Sequence, residues 1–461
     1  LTHAVPAWAP EGFPRLDEIR LDTRALAFAV AASLFAGTLA GLVPAWRASR
    51  TELSAALRSG GARSVGAGER ARSVLLALEA ALSVILLIGA ALLVRSFVAL
   101  VNVDPGYSAA NVLTGRIYLA GAASTPERRL ELLRSLTTRL RATPGVASAG
   151  VGNMAPLGES SFVSGFSFGT NAAGQPIVAR ALQYVVTAGY AEALGLRVKQ
   201  GRLIQPSDEA ASVQAMLVNE AFVRAYVNDG KPIVGRRYEG LLHDGRGVTE
   251  IVGVLGNVLK DGLDAQAQPE IYLAVGRDHR ITREMNVVIR TVADPSAFAP
   301  TLRALVHDIE PSAAVARVGP LTARIADSVS APRFATAVLS AFAFLALGIA
   351  ATGLYGVLSY NVSQRRREIG IRAALGATRR NLIGLVVRQG LAVTACGLVL
   401  GMVVSAIAAR RLQPLLFGIQ PLDLPSFAIV PVLLLVVALA ACAFPARRAA
   451  ATDPGTTLRT E

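Results

Sequence analysis

The residues best suited to chemistry lie between positions 365 and 380, where basic side chains alternate with small and apolar ones. Arginines there could meet anionic lipid headgroups or the acidic surface of another protein. Ile369, Leu375 and Ile383 could form an apolar stripe on a short helix lying along a membrane. On residue types alone, a lipid-anchored loop and a docking site for a partner protein are equally supported. The candidate site comprises Arg365, Arg366, Arg367, Glu368, Ile369, Gly370, Ile371, Arg372, Leu375, Gly376, Ala377, Thr378 and Arg379.

No second arrangement of side chains in the sequence indicates catalysis or metal binding. Ser160 follows Glu159 but lacks the G-x-S-x-G elbow that presents a nucleophile. Cys396 and Cys442 lie in separate apolar runs, with neither metal-ligand nor disulfide spacing. Metal-ligand spacing is also missing from the histidines, which are His3, His243, His279 and His307. We therefore predict no enzymatic activity, no metal and no cofactor in this chain.

A Walker A loop, G-x-x-x-x-G-K-[ST], is absent from the sequence. The available lysines are Lys199, Lys231 and Lys260, and none follows a glycine loop of that kind. The chain is therefore not expected to bind or hydrolyse ATP. Any ATP-driven activity would take its energy from a separate protein.

Long apolar runs predict a membrane protein. Of the 461 residues, 52% are hydrophobic, and the mean hydropathy is +0.47, which is too apolar for an ordinary soluble protein. A membrane-spanning helix needs about 20 mostly apolar residues. Five runs reach this length, namely Ala25–Ala45, Val74–Val94, Phe334–Tyr360, Gln389–Ala409 and Leu424–Ala446. Gly37–Gly41 and Gly397–Gly401 have the GxxxG spacing that allows two spans to pack closely.

Arginine clusters predict the orientation of these runs. They lie between the first and second runs, between the third and fourth, and after the fifth, so the positive-inside rule puts all three on the cytoplasmic side. Residues 102–333 then lie outside, as does the short loop 412–423. Arg95 is expected to snorkel at the outer end of the second run. Glu79, inside that run, is expected to face another helix or an arginine, and a proton-relay role is the less favoured alternative.

The net charge of +14 does not indicate a nucleic-acid partner. Basic residues cluster beside the apolar runs, as membrane topology requires. The long middle segment mixes arginine with aspartate and glutamate and has no basic stripe. We therefore predict contact between the arginines and membrane lipids, and no binding of nucleic acid.

The segment between the second and third runs predicts two strand–helix–strand units separated by an insertion. The first unit has strands at 112–119 and 146–151 with a helix at 126–141. The second has strands at 285–291 and 313–318 with a helix at 295–309. Two such units predict a split ferredoxin-like arrangement. The insertion, about 153–283, has strand candidates at 215–219 and 250–255 and predicts a second, β-rich subdomain.

The beginning and the end of the chain repeat each other at a constant offset. Pro44-Ala45-Trp46-Arg47-Ala48 aligns with Pro445-Ala446-Arg447-Arg448-Ala449, and Leu21-Asp22 aligns with Leu422-Asp423. Solenoid repeats have periods of roughly 20–50 residues, so this much longer repeat predicts a duplicated membrane module. The chain is then expected to be the C-terminal portion of a longer protein, with one whole copy preceded by the tail of another.

The run Arg365 to Arg380 resembles the cytoplasmic coupling segment of FtsX-like and MacB-like ABC transporter permeases in residue order, residue type and topological place. Tyr190-Ala191-Glu192-Ala193-Leu194-Gly195-Leu196 and Gly201-Arg202 resemble the MacB-type periplasmic core domain. Arg388-Gln389-Gly390, Leu415-Leu416-Phe417-Gly418 and the closing Pro445 to Ala449 run also fit. The duplication is most similar to tandem MacB-like permeases, in which both halves of the usual dimer lie on one polypeptide.

This resemblance implies a permease subunit that couples a partner ATPase to periplasmic movements by mechanotransmission, for export or efflux. It implies an ABC-type ATPase subunit that binds the ATP and docks at the candidate site. It also implies a periplasmic adaptor, an outer-membrane conduit and a second permease copy as partners, in a bacterial inner membrane. The alternative is an FtsX-like signalling protein that controls a periplasmic partner, or a protein of lipoprotein release. The long two-part outer segment favours the MacB-like alternative.

The predicted fold is an α-helical membrane protein with an inserted α+β periplasmic domain, made of a split ferredoxin-like part and a β-rich subdomain. Its expected divisions are the tail of a preceding copy with one membrane helix (1–60) and a cytoplasmic lead-in with the next helix (61–101). The MacB-like periplasmic core domain (102–333) and an FtsX-like permease domain with three membrane helices and the coupling loop (334–461) follow.

Overall fold

The computed structural model describes residues 62–119, 125–158, 162–170, 175–227, 230–239, 247–276, 283–364 and 378–450, together with scattered positions between 23 and 38. The chain divides into two compact units. The described residues up to Leu100 and from Ala331 form the first, called here the membrane unit. Residues Val101–Ser330 form the second, called here the outer unit.

Helices and strands are numbered in chain order over the described residues. The helices are α1 (Ala62–Val101), α2 (Pro126–Ala142), α3 (Tyr190–Ala193), α4 (Glu220–Tyr226), α5 (Ala299–Ile309), α6 (Leu321–Ser328), α7 (Ser330–Gln364), α8 (Arg379–Arg411) and α9 (Leu424–Ala450). The strands are β1 (Val112–Tyr118), β2 (Val146–Gly152), β3 (Val163–Thr170), β4 (Pro176–Val186), β5 (Val198–Gly201), β6 (Val213–Asn219), β7 (Arg237–Glu239), β8 (Val248–Leu255), β9 (Glu270–Ala274), β10 (Glu284–Thr291) and β11 (Ala314–Pro320).

Within the described residues, four helices are long and apolar enough to cross a membrane. These stretches are Arg72–Val101 in α1, Ser330–Tyr360 in α7, Gly390–Arg411 in α8 and Leu424–Ala443 in α9. They match the second to fifth runs predicted from the sequence. The first run has helical backbone at its described positions between 23 and 38, and the remainder lies outside the described residues.

Helices α1 and α7 are longer than a bilayer requires. They contain 40 and 35 residues, which correspond to about 60 Å and about 50 Å at 1.5 Å per residue. Because the hydrocarbon core of a bilayer is about 30 Å thick, part of each helix must extend beyond it.

Two glycines allow α8 to lie directly on α1. A Cβ atom at Gly397 would be 2.4 Å from the carbonyl oxygen of Ala77, and one at Gly401 would be 2.7 Å from that of Ala81. No side chain fits in either space, so the Gly397–Gly401 spacing packs two helices as the sequence predicts. The Gly37–Gly41 pattern lies outside the described residues except for Thr38.

The strands described in the outer unit form one mixed sheet with the order β11-β1-β10-β2-β4-β9-β6-β8-β5, and β3 and β7 lie beside β4 and β8. Its first four strands are antiparallel at every step. Helices α2 and α5 cover one face of these strands, where Leu136, Leu140, Leu302 and Val306 are buried against Ile289 and its neighbours. Helices α3 and α6 contribute Tyr190 and Leu321 to a second core.

The strand–helix–strand elements predicted from the sequence occur with small shifts at their ends. The clearest is α2, which begins where Thr125 accepts a hydrogen bond from the Arg128 backbone N–H at 3.4 Å. The helix predicted at 295–309 instead begins as a 3₁₀ turn over Pro295–Phe298. Pro300 explains this difference, because it lacks the N–H that an α-helix would need there.

The insertion continues the sheet instead of forming a separate one. Strands β2 and β4 share a single register pair, Gly152 with Val186. Asn153 extends this contact, since its Oδ1 accepts from the Val185 N–H at 2.9 Å and its Nδ2 donates to the Gln183 carbonyl at 3.2 Å. Further along, β4 and β9 are parallel, as are β6 and β8.

Candidate functional site

The basic site predicted from the sequence falls between two membrane-length helices. Residues 365–377 lie outside the described residues. Helix α7 ends before them at Gln364, and α8 begins after them at Arg379. The site is therefore the connection between the two helices.

Thr378 fixes the point at which α8 begins. Its backbone is extended, and its side chain accepts a hydrogen bond from the Asn381 N–H at 3.4 Å. This is an N-cap, which satisfies one of the backbone donors that a helix start leaves without an intrahelical partner. Of the predicted site residues, Thr378 thus has a structural role, and Arg379 is the first residue of the helix.

Near the same end of the membrane unit, α7 is held to α1 by a cation–π contact. The guanidinium carbon of Arg72 lies 4.2 Å from the centre of the Tyr360 ring. Such a contact contributes about 0.5–1 kcal/mol at an exposed site. Tyr360 precedes the last residue of α7 by only one helical turn, so this contact helps to position the start of the 365–377 connection.

Glu79 lies against α7, as expected for an intramembrane acid that faces another helix. A Cβ atom at Gly353 would be 2.7 Å from the Oε2 atom of Glu79, so the carboxylate lies directly against the backbone of α7. One turn further along α1, the Ser83 hydroxyl donates to the Ala346 carbonyl at 3.1 Å. No hydrogen bond or ion pair joins the Glu79 carboxylate to another side chain in the described part of the chain.

A cavity of about 20 Å³ lies among the four membrane helices. The only hydroxyl on its wall is that of Thr394, which already donates to the Gly390 carbonyl at 3.0 Å. The lining residues are Leu76, Ala80, Ala350, Ala351, Leu354, Thr394, Leu434, Val437 and Ala438. Because one water molecule needs roughly 10–15 Å³ of such space, this cavity has room for about one water molecule.

At the other end of α1, Arg95, which was expected to snorkel, forms a specific ion pair. Its Nη1 lies 3.0 Å from the Oδ2 of Asp423. Asp423 precedes α9 and accepts hydrogen bonds from the backbone N–H and the hydroxyl of Ser426, at 3.0 and 2.6 Å. The next residue of α1, Ser96, accepts from the Phe417 N–H at 2.7 Å. The loop 412–423 is therefore fastened to α1.

The Tyr190 to Leu196 motif has a structural role in the outer unit. Tyr190 is buried, and its hydroxyl donates to the Met154 carbonyl at 2.7 Å. A Cβ atom at Gly150 would be 2.3 Å from the Tyr190 nitrogen, so β2 needs glycine where α3 begins. The motif therefore packs the short helix α3 on the sheet.

Sequence reasoning missed a buried acid in the outer unit. Glu270 is 0% exposed. Its carboxylate accepts hydrogen bonds from the hydroxyls of Tyr272 at 2.9 Å and Tyr184 at 3.2 Å. Burial raises the pKa of Glu270 to about 7, against the lowering effect of both tyrosine hydrogen bonds and of the Lys260 charge. A single glutamate at the start of a strand gives no signal of this in the sequence.

An exposed charged pair of the outer unit lies beside the end of β5. Arg202 donates to both carboxylate oxygens of Asp208, at 2.6 and 2.9 Å. Asp208 also accepts from the Gln205 N–H at 2.8 Å. The hydrogen bonds from Arg202 lower the pKa of Asp208. This pair fastens the 3₁₀ turn Pro206–Glu209 to the end of β5, which is a structural role.

In the described ranges, no three His, Cys, Asp or Glu side chains come together in a way that could hold a metal ion.

Part of the membrane unit matches a known protein family. Residues 340–454 match the FtsX-like permease C-terminal family. The matched segment includes most of α7, the 365–377 connection, and helices α8 and α9. The resemblance to FtsX-like ABC transporter permeases, predicted from the Arg365 to Arg380 run, is therefore confirmed for this part of the chain.

Two relatives of known name are similar to parts of this chain. The macrolide export ATP-binding/permease protein MacB of Azoarcus sp. is 32% identical over 153 residues, which are 30% of this chain and 21% of that protein. The protein of the same name from Nitrobacter winogradskyi is 31% identical over 86 residues, 19% of this chain and 13% of that protein. The matches confirm the predicted MacB-like resemblance, and they span about a fifth or less of the length of these relatives.

Among solved structures, the periplasmic region of MacB from Actinobacillus actinomycetemcomitans is similar at 16% identity and a TM-score of 0.30. The similarity covers 46% of this chain and 90% of that one. The extracellular domain of the noncanonic ABC-type transporter YknZ from Gram-positive bacteria is similar at 14% identity and a TM-score of 0.29. Here the similarity covers 44% of this chain and 100% of that one.

Proposed function

We propose that this chain is a permease subunit of a MacB-like ABC transporter, which couples a partner ATPase to movements of a periplasmic domain by mechanotransmission, for export or efflux. The observation that carries the proposal is the FtsX-like match over residues 340–454. It contains the whole predicted coupling segment, 365–379. That segment joins two helices that are each long enough to cross a membrane.

The packing of the membrane unit supports transmission of movement. Helix α7 is tied to α1 through Tyr360 and Arg72 and through Ala346 and Ser83. A displacement of the 365–377 connection by an ATPase would therefore act on α7 and, through these contacts, on α1. The small apolar cavity between the helices suits such a lever better than a hydrophilic channel. The spans would alternate between two packings, and ATP binding by the partner would favour one of them.

The partner ATPase would supply what this sequence lacks. Relatives of this chain are named ATP-binding/permease proteins, whereas no Walker A loop occurs in these 461 residues. ATP would then be bound by a separate ABC-type subunit docked at residues 365–379. A periplasmic adaptor, an outer-membrane conduit and a second permease copy complete the proposed assembly in a bacterial inner membrane.

The proposed domain divisions are those given by the sequence: 1–60, 61–101, 102–333 and 334–461. The second compact unit begins at Val101 and the first resumes at Ala331. These positions lie within a few residues of the proposed boundaries at 101/102 and 333/334, and so support them. The order β11-β1-β10-β2, with α2 and α5 on one face, supports a split ferredoxin-like part in the periplasmic domain. Strands β3 to β9 support a β-rich insertion.

Photo-crosslinking in native membranes tests the docking site. Because the Thr378 side chain caps α8, the crosslinking residue is better placed at Ala377 and at Arg379, on either side of it. Leu415, 69% exposed in the loop between α8 and α9, is the matched control. It lies at the end of α8 that is remote from the 365–377 connection.

We expect a Walker-type ATPase to be captured at positions 377 and 379 and not at 415. Absence of an ATPase at 377 and 379, in membranes where the protein is inserted and folded, would contradict the docking assignment. Capture at 415 alone would contradict the predicted orientation. If the ATPase docks but the reconstituted assembly transports nothing and instead stimulates a periplasmic enzyme, the FtsX-like signalling alternative is correct.

A further inference from the structure

The outer unit buries an ionisable cluster that the proposed transport function does not use. Glu270 is the acceptor at its centre, and the rings of its two donors, Tyr184 and Tyr272, stack with centroids 4.4 Å apart. Lys260, which is 3% exposed, lies on the segment between β8 and β9, and its Nζ is 3.1 Å from the Oδ1 of Asp261. A carboxyl group, a lysine and two phenols are thus enclosed together.

The cluster occupies a junction of the sheet. Glu270 is the first residue of β9, which lies between β4 and β6. Asn219 connects it to its surroundings: its Oδ1 accepts from the N–H groups of Glu270 at 3.0 Å and Phe222 at 2.8 Å. Its Nδ2 donates to the Gln268 carbonyl at 2.7 Å. A shift of Glu270 would therefore reach the start of α4 and the segment 256–269.

The groups that face Glu270 come from several elements. They are Tyr184 on β4, Tyr272 on β9, Tyr190 on α3, and Lys260 and Asp261 on the segment after β8, with Arg324 on α6 acting on Tyr190. Two of these favour the charged carboxylate directly through O–H donors, and Lys260 favours it through its charge. Asp261 and burial oppose it.

We infer that this cluster is a proton-responsive joint of the outer unit, in which protonation of Glu270 tightens the segment 256–274 and loss of the proton loosens it. The charged carboxylate is enclosed with only three favourable neighbours, whereas an opened segment would hydrate it fully. Protonation removes the cost of burying the charge. The joint lies within the insertion, where β9 is held between β4 and β6, so loosening it would let these three strands move relative to one another.

The direction of the pH dependence follows from proton binding. Burial raises the pKa of Glu270 in the folded unit to about 7, above the value of an exposed glutamate, about 4.3. Between these values the folded form binds more protons than the opened form. The stability of the closed segment is therefore greatest at acid pH, falls as the pH rises through this window, and levels off above about pH 7.

Hydrogen–deuterium exchange of the full chain in lipid nanodiscs tests the joint. Peptides spanning 256–274 are compared at pH 5.5 and pH 8.5, after correction for the chemical exchange rate. For a fully hydrated glutamate in the opened state, the opening equilibrium should rise about thirtyfold over this range. In Glu270→Gln, a neutral side chain of the same shape, it should be nearly constant.

Two further variants separate the joint from a general effect of the substitution. Tyr272→Phe retains the stacked ring and removes one donor to the carboxylate, which raises the pKa of Glu270 in the closed segment further. The opening equilibrium should therefore keep rising to a higher pH and reach a larger final value than in the natural protein. Glu209→Gln neutralises a different acid, which is half-buried and accepts from the Ala188 N–H at 2.7 Å. In this variant, peptides 256–274 should keep the pH dependence of the natural protein. The inference is overturned by a pH-independent opening in the natural protein or by an equal rise in Glu270→Gln. Neither result depends on whether the chain transports a substrate.

Discussion

Arg95 and Asp423 form an ion pair that joins the C-terminal part of α1 to the start of α9, with Nη1 and Oδ2 3.0 Å apart. The same aspartate oxygen accepts hydrogen bonds from Ser426 and so caps α9. Ser96, the residue after Arg95, accepts a hydrogen bond from the Phe417 N–H. One carboxylate thus serves both an ion pair and a helix start. A change at Asp423 should therefore cost more than a change at Arg95.

We expect Asp423→Ala to destabilise the protein by about 1–2 kcal/mol, because it removes the helix cap together with the acceptor of an ionic hydrogen bond. Arg95→Gln should cost less than about 1 kcal/mol, since the arginine side chain is 42% exposed. Thermal unfolding in a single detergent measures both. Arg411→Gln, which changes an exposed arginine at the end of α8, serves as the control. Equal melting temperatures for Asp423→Ala and the control would contradict the capping role.

Gly397→Ala and Gly348→Ala should change stability in opposite directions. In an open helix, replacing glycine by alanine gains roughly 0.5–1 kcal/mol, and a Cβ at Gly348 meets nothing within 4 Å. At Gly397 the Cβ would be 2.4 Å from the Ala77 carbonyl oxygen, and overpacking of this kind costs about 1–3 kcal/mol. The melting temperature should fall for Gly397→Ala and stay level or rise for Gly348→Ala. A rise in both would mean that α8 does not rest on α1 there.

Arg202→Gln should weaken the outer unit at neutral pH and leave it unchanged in acid. The hydrogen bonds from Arg202 lower the pKa of Asp208 in the folded protein. A carboxyl with a lowered pKa contributes stability above its unfolded pKa, near 3.9, and this contribution is lost as the pH falls through the folded value. Because Arg202 is 44% exposed, the effect at pH 7 should be below about 1 kcal/mol.

The measurement is the difference in melting temperature between Arg202→Gln and the natural protein, at pH 7 and near pH 2.5. Arg303→Gln on α5 is a control with an exposed arginine. A difference that persists unchanged in acid would show that Arg202 stabilises the unit by packing and not through Asp208.

Combined replacement of Glu368, Gly370 and Gly376 should separate ATP hydrolysis by the partner from the activity of the assembly. These residues lie in the proposed docking segment, so their replacement should disturb the contact with the ATPase. They lie outside the apolar spans, so insertion into the membrane should remain intact. ATPase activity and transport are measured together in reconstituted membranes. Gln413→Ala, in the loop at the other end of α8, is the control. Unchanged coupling in the triple variant would remove the docking assignment.

The sequence predicted the elements whose signals are local. Helix α2 is an example: Thr125 and Pro126 start it, leucines at helical spacing face the sheet, and Pro144-Gly145 follow its end. The membrane runs are equally local, since length and apolar composition suffice to identify them. The basic run 365–380 was recognised by its residue order alone, and its docking role stays a prediction.

What the sequence could not provide depends on contacts between distant positions. Glu270 is buried because β9 pairs with β4, which brings Tyr184 beside it, and no pattern around position 270 announces that pairing. Arg95 was expected to snorkel because it lies at the end of an apolar run. Its ion-pair partner, Asp423, lies far along the chain, so the pairing could not be seen in the sequence around Arg95. The start of α5 differed from the prediction for a local reason, the proline at position 300, whose effect on the first turn was overlooked.

The place of β1 in the sheet determines when it can pair during synthesis of the chain. Both of its partners, β10 and β11, lie near the end of the outer unit's sequence. At ordinary rates of translation, β1 therefore remains unpaired for on the order of ten seconds or more after it is made. The parallel pairs β4–β9 and β6–β8 lie within the insertion, and their last strand, β9, ends at Ala274, before β10 begins at Glu284. The insertion can thus fold first, and β1, β10 and β11 pair last, beside a part that is already formed.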